Sequence, residues 1–234
     1  MIDIQLYKPE EYDLHLGFPE NWNELSFPEL LIIAQSFFSD DGLSFEELYI
    51  QIISERIRAK YPKVDADRVV VLLNIEDMAR EYREMMAFLE ESNTLTVNPI
   101  HIAGFKMPED HFNSTLVGEF EIADQALSAW LAEKDITQLT EFFRAFYNTK
   151  IEVPENHMKV AALFFLGCKN ELPILFPSLF EGETNGRDQG TPDPMAVTRM
   201  IHENAGPANG TRQDIRRTLL KEFLYDLQLK AERE

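Results

Sequence analysis

The chain has 234 residues, 44% of them apolar and 17 of them phenylalanine, which is enough to fill a core and too much for a disordered chain. Its 41 acids against 22 bases give a formal net charge of −19, which argues against direct binding to nucleic acid or to anionic membranes. The single cysteine excludes an internal disulfide and a cysteine-based zinc site.

Taken in chain order, Asp3 to Tyr7 alternates weakly, as a short strand or extended arm does. The opening MIDIQLYKPEEYD has no basic region followed by an apolar run, so a signal peptide is not expected and the cytoplasm is the expected location. Ser26 and Glu29 form a capping box with Pro28 in the first helical turn, and the helix they open closes at Asp40-Asp41-Gly42. Ser44 and Glu47 open a second helix that Pro62 ends. Residues 65–91 read as helix throughout, with a bend at Asn74 to Asp77.

The period then changes. Thr94 to Phe105 alternates every second residue around a proline, which predicts an extended segment or one arm of a β-hairpin, with Thr115 to Val117 able to pair with it across a long loop. Helical spacing returns over Phe120 to Lys134, and Asp135 caps a helix over Ile136 to Tyr147. Val160 to Phe180 is the most apolar stretch. Its unbroken run ends at Cys168 before Lys169-Asn170-Glu171, about half of what a membrane span needs, so a buried helix is expected, with Pro173 and Pro177 shaping a further short turn. Residues 181–194 read as a loop from their Gly, Pro and polar content, a helix follows from Asp193-Pro194 to Asn204, and GPANG breaks it. Thr211 and Asp214 cap a final helix running to the C-terminal end of the sequence.

The fold expected from this pattern is a mainly α-helical, irregular multi-helix bundle with a small β-hairpin near residues 94–118. It is expected as one domain over 1–234, with sub-lobes 1–92 and 119–234 joined by the extended segment 93–118.

No catalytic motif is present. Cys168 sits among apolar residues and reads as a buried thiol rather than a nucleophile. His101 and His111, with Asp110 or Glu109, can meet across the expected hairpin as a metal site, but the five histidines lack metal-ligand spacing, and no metal or cofactor is expected. The methionines read as core filler or as adaptable contact residues. The last helix carries an apolar stripe that includes Leu219, Phe223 and Leu227, beside Arg212, Arg216 and Arg217. These six are the candidate partner-binding residues, docking on the chain's own acidic N-terminal half or on another protein.

Four blocks carry a resemblance: FPENWNELSFPELLIIAQSFF, GEFEIADQALSAWLAEKDITQLTEFFRAFYN, VAALFFLGCKNELPILFPSLF and DPMAVTRMIHENAGPANGTRQDIRRTLLKEFLYDL. Together they span much of residues 18–227. The chain resembles a family of functionally uncharacterised proteins encoded in the tail-assembly regions of bacteriophages and prophages, particularly those of Bacteroidetes-type hosts. One departure is Tyr147-Asn148, where that family usually has Tyr-Arg. The resemblance implies a small helical, non-enzymatic protein, either a tail-assembly chaperone or a minor tail-structure protein, with tape-measure or tube proteins as clients. It carries no active site and leaves the oligomeric state open. The charge alone supports a rival reading, an acidic inhibitor or nucleic-acid mimic binding a basic host protein.

Overall fold

The computed structural model describes residues 2–8, 11–72, 83–103, 107–180, 196–204 and 211–233, and its chain divides into two compact units, Met1–Leu95 and Thr96–Glu234. The expected bend at Asn74 to Asp77, the loop over 181–194 and the GPANG break lie outside the described residues.

In the first unit, strands β1 (Ile2–Lys8) and β2 (Tyr12–Phe18) pair antiparallel, with Gln5 opposite His15 and Leu6 opposite Leu14. Side chains alternate across such a ribbon, so Leu6, Leu14, Leu16 and Phe18 are buried while Asp3, Gln5, Asp13 and His15 are exposed. Helices α1 (Phe27–Phe37) and α2 (Phe45–Lys60) start at the expected capping boxes, and α3 (Ala66–Leu72) packs on α2. Leu30, Ile33, Tyr49, Ile52 and Ile57 fill the space between them.

Side chains from the α2 end secure the free edge of β2. Tyr61 Oη accepts from His15 N and donates to His15 O, both at 3.0 Å, and Lys60 Nζ donates to the same carbonyl at 2.7 Å. Arg56 donates to the Gly17 carbonyl and to Glu29, whose carboxylate is fully buried and also caps α1 through Ser26 N at 2.7 Å. An unpaired strand edge invites aggregation, and here the His15 N–H and carbonyl and the Gly17 carbonyl are satisfied by side chains of the same unit.

The second unit holds α4 (Val117–Glu133), α5 (Ile136–Phe146), α6 (Glu155–Leu175), α7 (Pro177–Phe180), α8 (Ala196–Asn204), α9 (Arg212–Arg216) and α10 (Leu220–Ala231). Lys134, at a left-handed φ of 57°, and the N-cap Asp135 turn α4 into α5, and these two helices pack on each other. Phe112, Phe120, Phe142, Phe146 and Phe165 form the core, with Phe165 centroids 5.0–5.4 Å from the other four rings. Gly118 lets the C-terminal segment approach α4 closely, because a Cβ there would stand 3.1 Å from the Arg216 carbonyl oxygen.

Among the described residues the protein is mainly helical with one small two-stranded sheet, as expected, but the strands are not where the alternation of 94–118 placed them. The described residues of that segment are irregular, with a single 3-10 turn at Asp110–Phe112. Thr115 to Val117 does pair, but with Thr218 to Leu220. Val117 N donates to Thr218 O at 3.0 Å and Leu220 N to Thr115 O at 2.9 Å. That pairing needs Leu219 in extended conformation (φ −64°, ψ 137°), so the single C-terminal helix expected after Thr211 is two helices. Conversely, α6 runs through Pro173 to Leu175. The proline lies in the last turn, where it removes only one helical hydrogen bond.

Candidate functional site

The segment Met107–Leu116 is shaped by backbone that most residues avoid. His111 and Phe112 both have left-handed φ, 57° and 58°. Such conformations cost of order 1–3 kcal/mol each and persist where surrounding contacts over-determine them. Here the Phe112 ring is inserted among the core phenylalanines, His111 N donates to Thr96 O at 2.9 Å, and His111 Nδ1 lies 2.9 Å from Glu171.

Asn98 ties the same segment down from the other side. Its N donates to Asp110 Oδ1 at 2.7 Å and its Nδ2 to Pro108 O at 2.8 Å, while its Oδ1 accepts from the buried Tyr147 hydroxyl at 3.0 Å. Burial and the nearby Cys168, against that one hydrogen bond, keep the Tyr147 phenol well above its ordinary pKa. Asn148 follows at the end of α5 with φ 44°, and Thr149 N donates back to Arg144 O at 3.2 Å, a helix-ending turn that asparagine tolerates.

Between these walls lies a groove of about 500 Å³, within the range of ordinary ligand sites. Met107, Leu116, Phe146 and Leu219 give it apolar lining. Glu109 and Glu119 supply its only charged lining residues among the described ones. Glu119 Oε2 accepts from Leu116 N at 3.0 Å, capping α4, and the Glu109 carboxylate has no partner among the described residues. Thr115, 2% exposed, also lines the groove, and its hydroxyl has no hydrogen-bond partner among the described residues.

A buried hydroxyl left unbonded costs about 1–3 kcal/mol. Thr115→Val removes that polar atom and leaves both backbone hydrogen bonds of the residue in place. The variant is expected to be about 1 kcal/mol more stable than the parent in urea titration, within the same range. A loss of stability would show that the hydroxyl is satisfied in the folded chain.

The six candidate partner-binding residues are dispersed by the fold. Leu219 lines the groove. Phe223 and Leu227 are each 6% exposed and belong to the packed interior. Arg212 and Arg216 donate to Glu121, a fully buried carboxylate on α4, where His202 Nε2 also lies 3.3 Å away. Arg217 is exposed on the surface. The arginines therefore do meet an acid of their own chain, one in the same unit rather than in the N-terminal half.

Cys168 is 1% exposed, and its thiol is pushed up to about 12, first by burial and then by the Glu171 charge, so it stays protonated at neutral pH. Asp110 is engaged by Asn98 and His111 by Glu171, and the described residues contain no group of three side chains able to hold a metal. No helix among the described residues is long and apolar enough to cross a membrane.

The residues that build the groove were only partly visible beforehand. Leu219 came from its apolar stripe. Thr115, Glu119 and Asn98 were missed, because a polar side chain's burial depends on elements distant in sequence. The one signal available was Asn98-Pro99, which marks a turn. Comparison of the chain with protein-family models, with curated proteins and with solved structures finds no match to any of them.

Proposed function

We propose that this protein acts without catalysis, by binding other proteins during phage tail assembly in the cytoplasm of a bacterial host. Its role is that of a tail-assembly chaperone, or of a minor tail-structure protein that stays with the virion. Its clients are the tape-measure or tube proteins. The sequence resemblance supports the tail context. The observation that carries the binding reading is the groove beside α4 and α5, with apolar side chains, two carboxylates and an unbonded buried hydroxyl among its lining residues. A client segment fits such a feature: apolar lining supplies affinity, and a few placed polar groups fix register.

The test is affinity capture of the tagged chain from phage-infected or prophage-induced cells, followed by mass spectrometry. Recovery of tape-measure or tube proteins is the expected result. Recovery of only a host nuclease or polymerase would replace this reading with that of an acidic mimic. Salt separates the two further. A mimic held by the −19 charge loses its partner steeply between low and high ionic strength, whereas a complex with an apolar floor is screened far less.

A further inference from the structure

The first unit treats the two edges of its ribbon unequally. On β2, His15 and Gly17 turn backbone groups outward, and the side chains of Arg56, Lys60 and Tyr61 engage them. In an antiparallel pair, two residues opposite each other turn their backbone groups either both inward or both outward. Gln5 lies opposite His15, Asp3 opposite Gly17 and Tyr7 opposite Asp13, so Asp3, Gln5 and Tyr7 turn their N–H and C=O groups out of the β1 edge. These six groups have no hydrogen-bond partner among the described residues. All three residues are exposed, Tyr7 by 61%. The strand pairs with β2 over seven residues in unbroken register, and none of the three outward residues is a proline or a lysine. The devices that usually blunt a strand edge are therefore missing from this one.

We infer that the β1 edge pairs with the β1 edge of a second copy of this chain. This goes beyond the tail reading and does not rest on it. The outward residues are spaced evenly about Gln5. A two-fold axis normal to the sheet, midway between the two Gln5 residues, sets the strands antiparallel, with Gln5 opposite Gln5 and Asp3 opposite Tyr7 of the second copy. Each of the three outward pairs exchanges two hydrogen bonds, so every outward group of Asp3, Gln5 and Tyr7 in both copies is taken up. A slip of two residues either way leaves one outward residue of each copy opposite no strand residue. A slip of one sets outward groups against groups already bonded to β2. The side chains suit the same register. Asp3, the charged member of the three, meets a tyrosine hydroxyl that can donate to it, and not a second Asp3.

The axis also keeps the core-facing side of both ribbons, marked by the buried Leu6, on one side of a four-stranded sheet. Two strands alone are marginal in water, and four are less so. A seven-residue edge is small for an interface, and each copy carries a formal charge of −19. The dimer is therefore expected to be weak, forming across the micromolar range, and to tighten as salt screens the repulsion between copies.

The experiment is sedimentation of the full chain at rising concentration, with backbone amide exchange read by NMR on the same samples. The parent is expected to pass from monomer to dimer. Over that rise the amides of Asp3, Gln5 and Tyr7 slow together, while those of Ile4 and Leu6, bonded to β2 throughout, keep their rates. Gln5→Pro deletes one outward N–H and spares the bonds between β1 and β2, so it is expected to remain monomeric with the ribbon intact. Gln5→Lys and Gln5→Glu keep the backbone and set like charges across the axis. Each is expected to associate several-fold more weakly than the parent, and an equimolar mixture of the two to regain the parent's association. A variant that merely misfolded would not be rescued by mixing.

The inference is overturned if the parent stays monomeric with the three amides exchanging freely, if those amides are already protected in the monomer, or if they slow only when a client protein is added. It is overturned equally by a dimer that Gln5→Pro and Gln5→Lys leave unchanged, or by a mixture that restores nothing.

Discussion

Replacing Phe165 with alanine should lower the stability of the second unit by about 4 kcal/mol, within the usual 3–5 kcal/mol for deleting a buried phenyl ring. The ring is fully buried, and Phe112, Phe120, Phe142 and Phe146 surround it with centroids between 5.0 and 5.4 Å away. Three of those contacts are edge-on and one is stacked, arrangements that add about 0.5–1.5 kcal/mol each beyond area burial. The four partners come from the 3-10 turn, α4 and α5, so the cavity left by the deletion is walled by several elements and closes poorly. The two tryptophans make the measurement clean. Trp22 lies in the first unit and Trp130 in the second, so in a Trp22→Phe background fluorescence follows the second unit alone. The control is Ile174→Ala at a side chain 75% exposed, expected within about 0.5 kcal/mol of the parent. A Phe165→Ala cost below 1 kcal/mol would remove this cluster as the centre of the fold.

That core was legible in the sequence because its members recur at helical spacing. Phe142 and Phe146 lie four apart on one face, and the apolar run that contains Phe165 ends in polar residues. Capping boxes placed α1, α2 and α9 because the capping partners lie three residues apart and their bonds depend on no segment distant in sequence. What misled was period-two alternation. It is present in Thr94 to Phe105, but a strand also needs a neighbour to take its ladder hydrogen bonds. In the structure Asn93 and Asn98 side chains accept the backbone N–H of Leu95 and Ile100 instead. The partner chosen by Thr115 to Val117 sits about a hundred residues on, beyond the reach of any local pattern. The groove shared this fate: its apolar wall was half visible through Leu219, and its polar members became apparent only when distant segments met.

Helix α4 shows how charge and core are joined in the second unit. Glu121 and Asp124 are three residues apart, hence on one helical face, and both are buried. Burial raises the pKa of either carboxyl, but the outcomes differ. At Glu121 the hydrogen bonds and charges of Arg216 and Arg212 outweigh burial and hold the carboxyl below its usual range. At Asp124 burial wins against Lys169 and Thr198, and the carboxyl titrates above its usual range. The signs for stability are therefore opposite. Glu121 contributes stability that is present above the ordinary glutamate pKa and is lost as pH falls through its lowered value. Asp124 favours the folded state most in its neutral form, and that contribution is lost as pH rises through its raised value. Each acid also fastens a different part of the unit to α4. Glu121 holds α9, and Asp124 holds α6 through Lys169 and α8 through Thr198, 3.4 Å away.

Lys169→Met should then be costly in a pH-dependent way. Lys169 donates to Asp124 Oδ1, and the two side chains are 16% and 1% exposed. Removing the cation leaves an uncompensated buried carboxylate, worth about 3–5 kcal/mol at neutral pH. The variant's Asp124 pKa must rise further, because the chief influence opposing burial has gone. In unfolded chain the same group keeps a pKa near 3.9. Below that value aspartate is protonated in both states and the variant loses little beyond packing. Between it and the raised folded value, the folded chain binds more protons than the unfolded chain, so stability falls as pH rises. The expected loss is therefore smallest near pH 4 and largest near pH 7.5, measured by urea titration across that range. Glu121 also titrates toward the acid end, but it does so in parent and variant alike and cancels from the difference. Converting the partner as well, in Asp124→Leu/Lys169→Met, should recover most of the loss at neutral pH, because a buried pair exchanged for apolar side chains of similar volume is often neutral or stabilising. An equal loss at pH 4 and pH 7.5, or a double variant as unstable as the single one, would mean that packing rather than the Asp124 charge sets the cost.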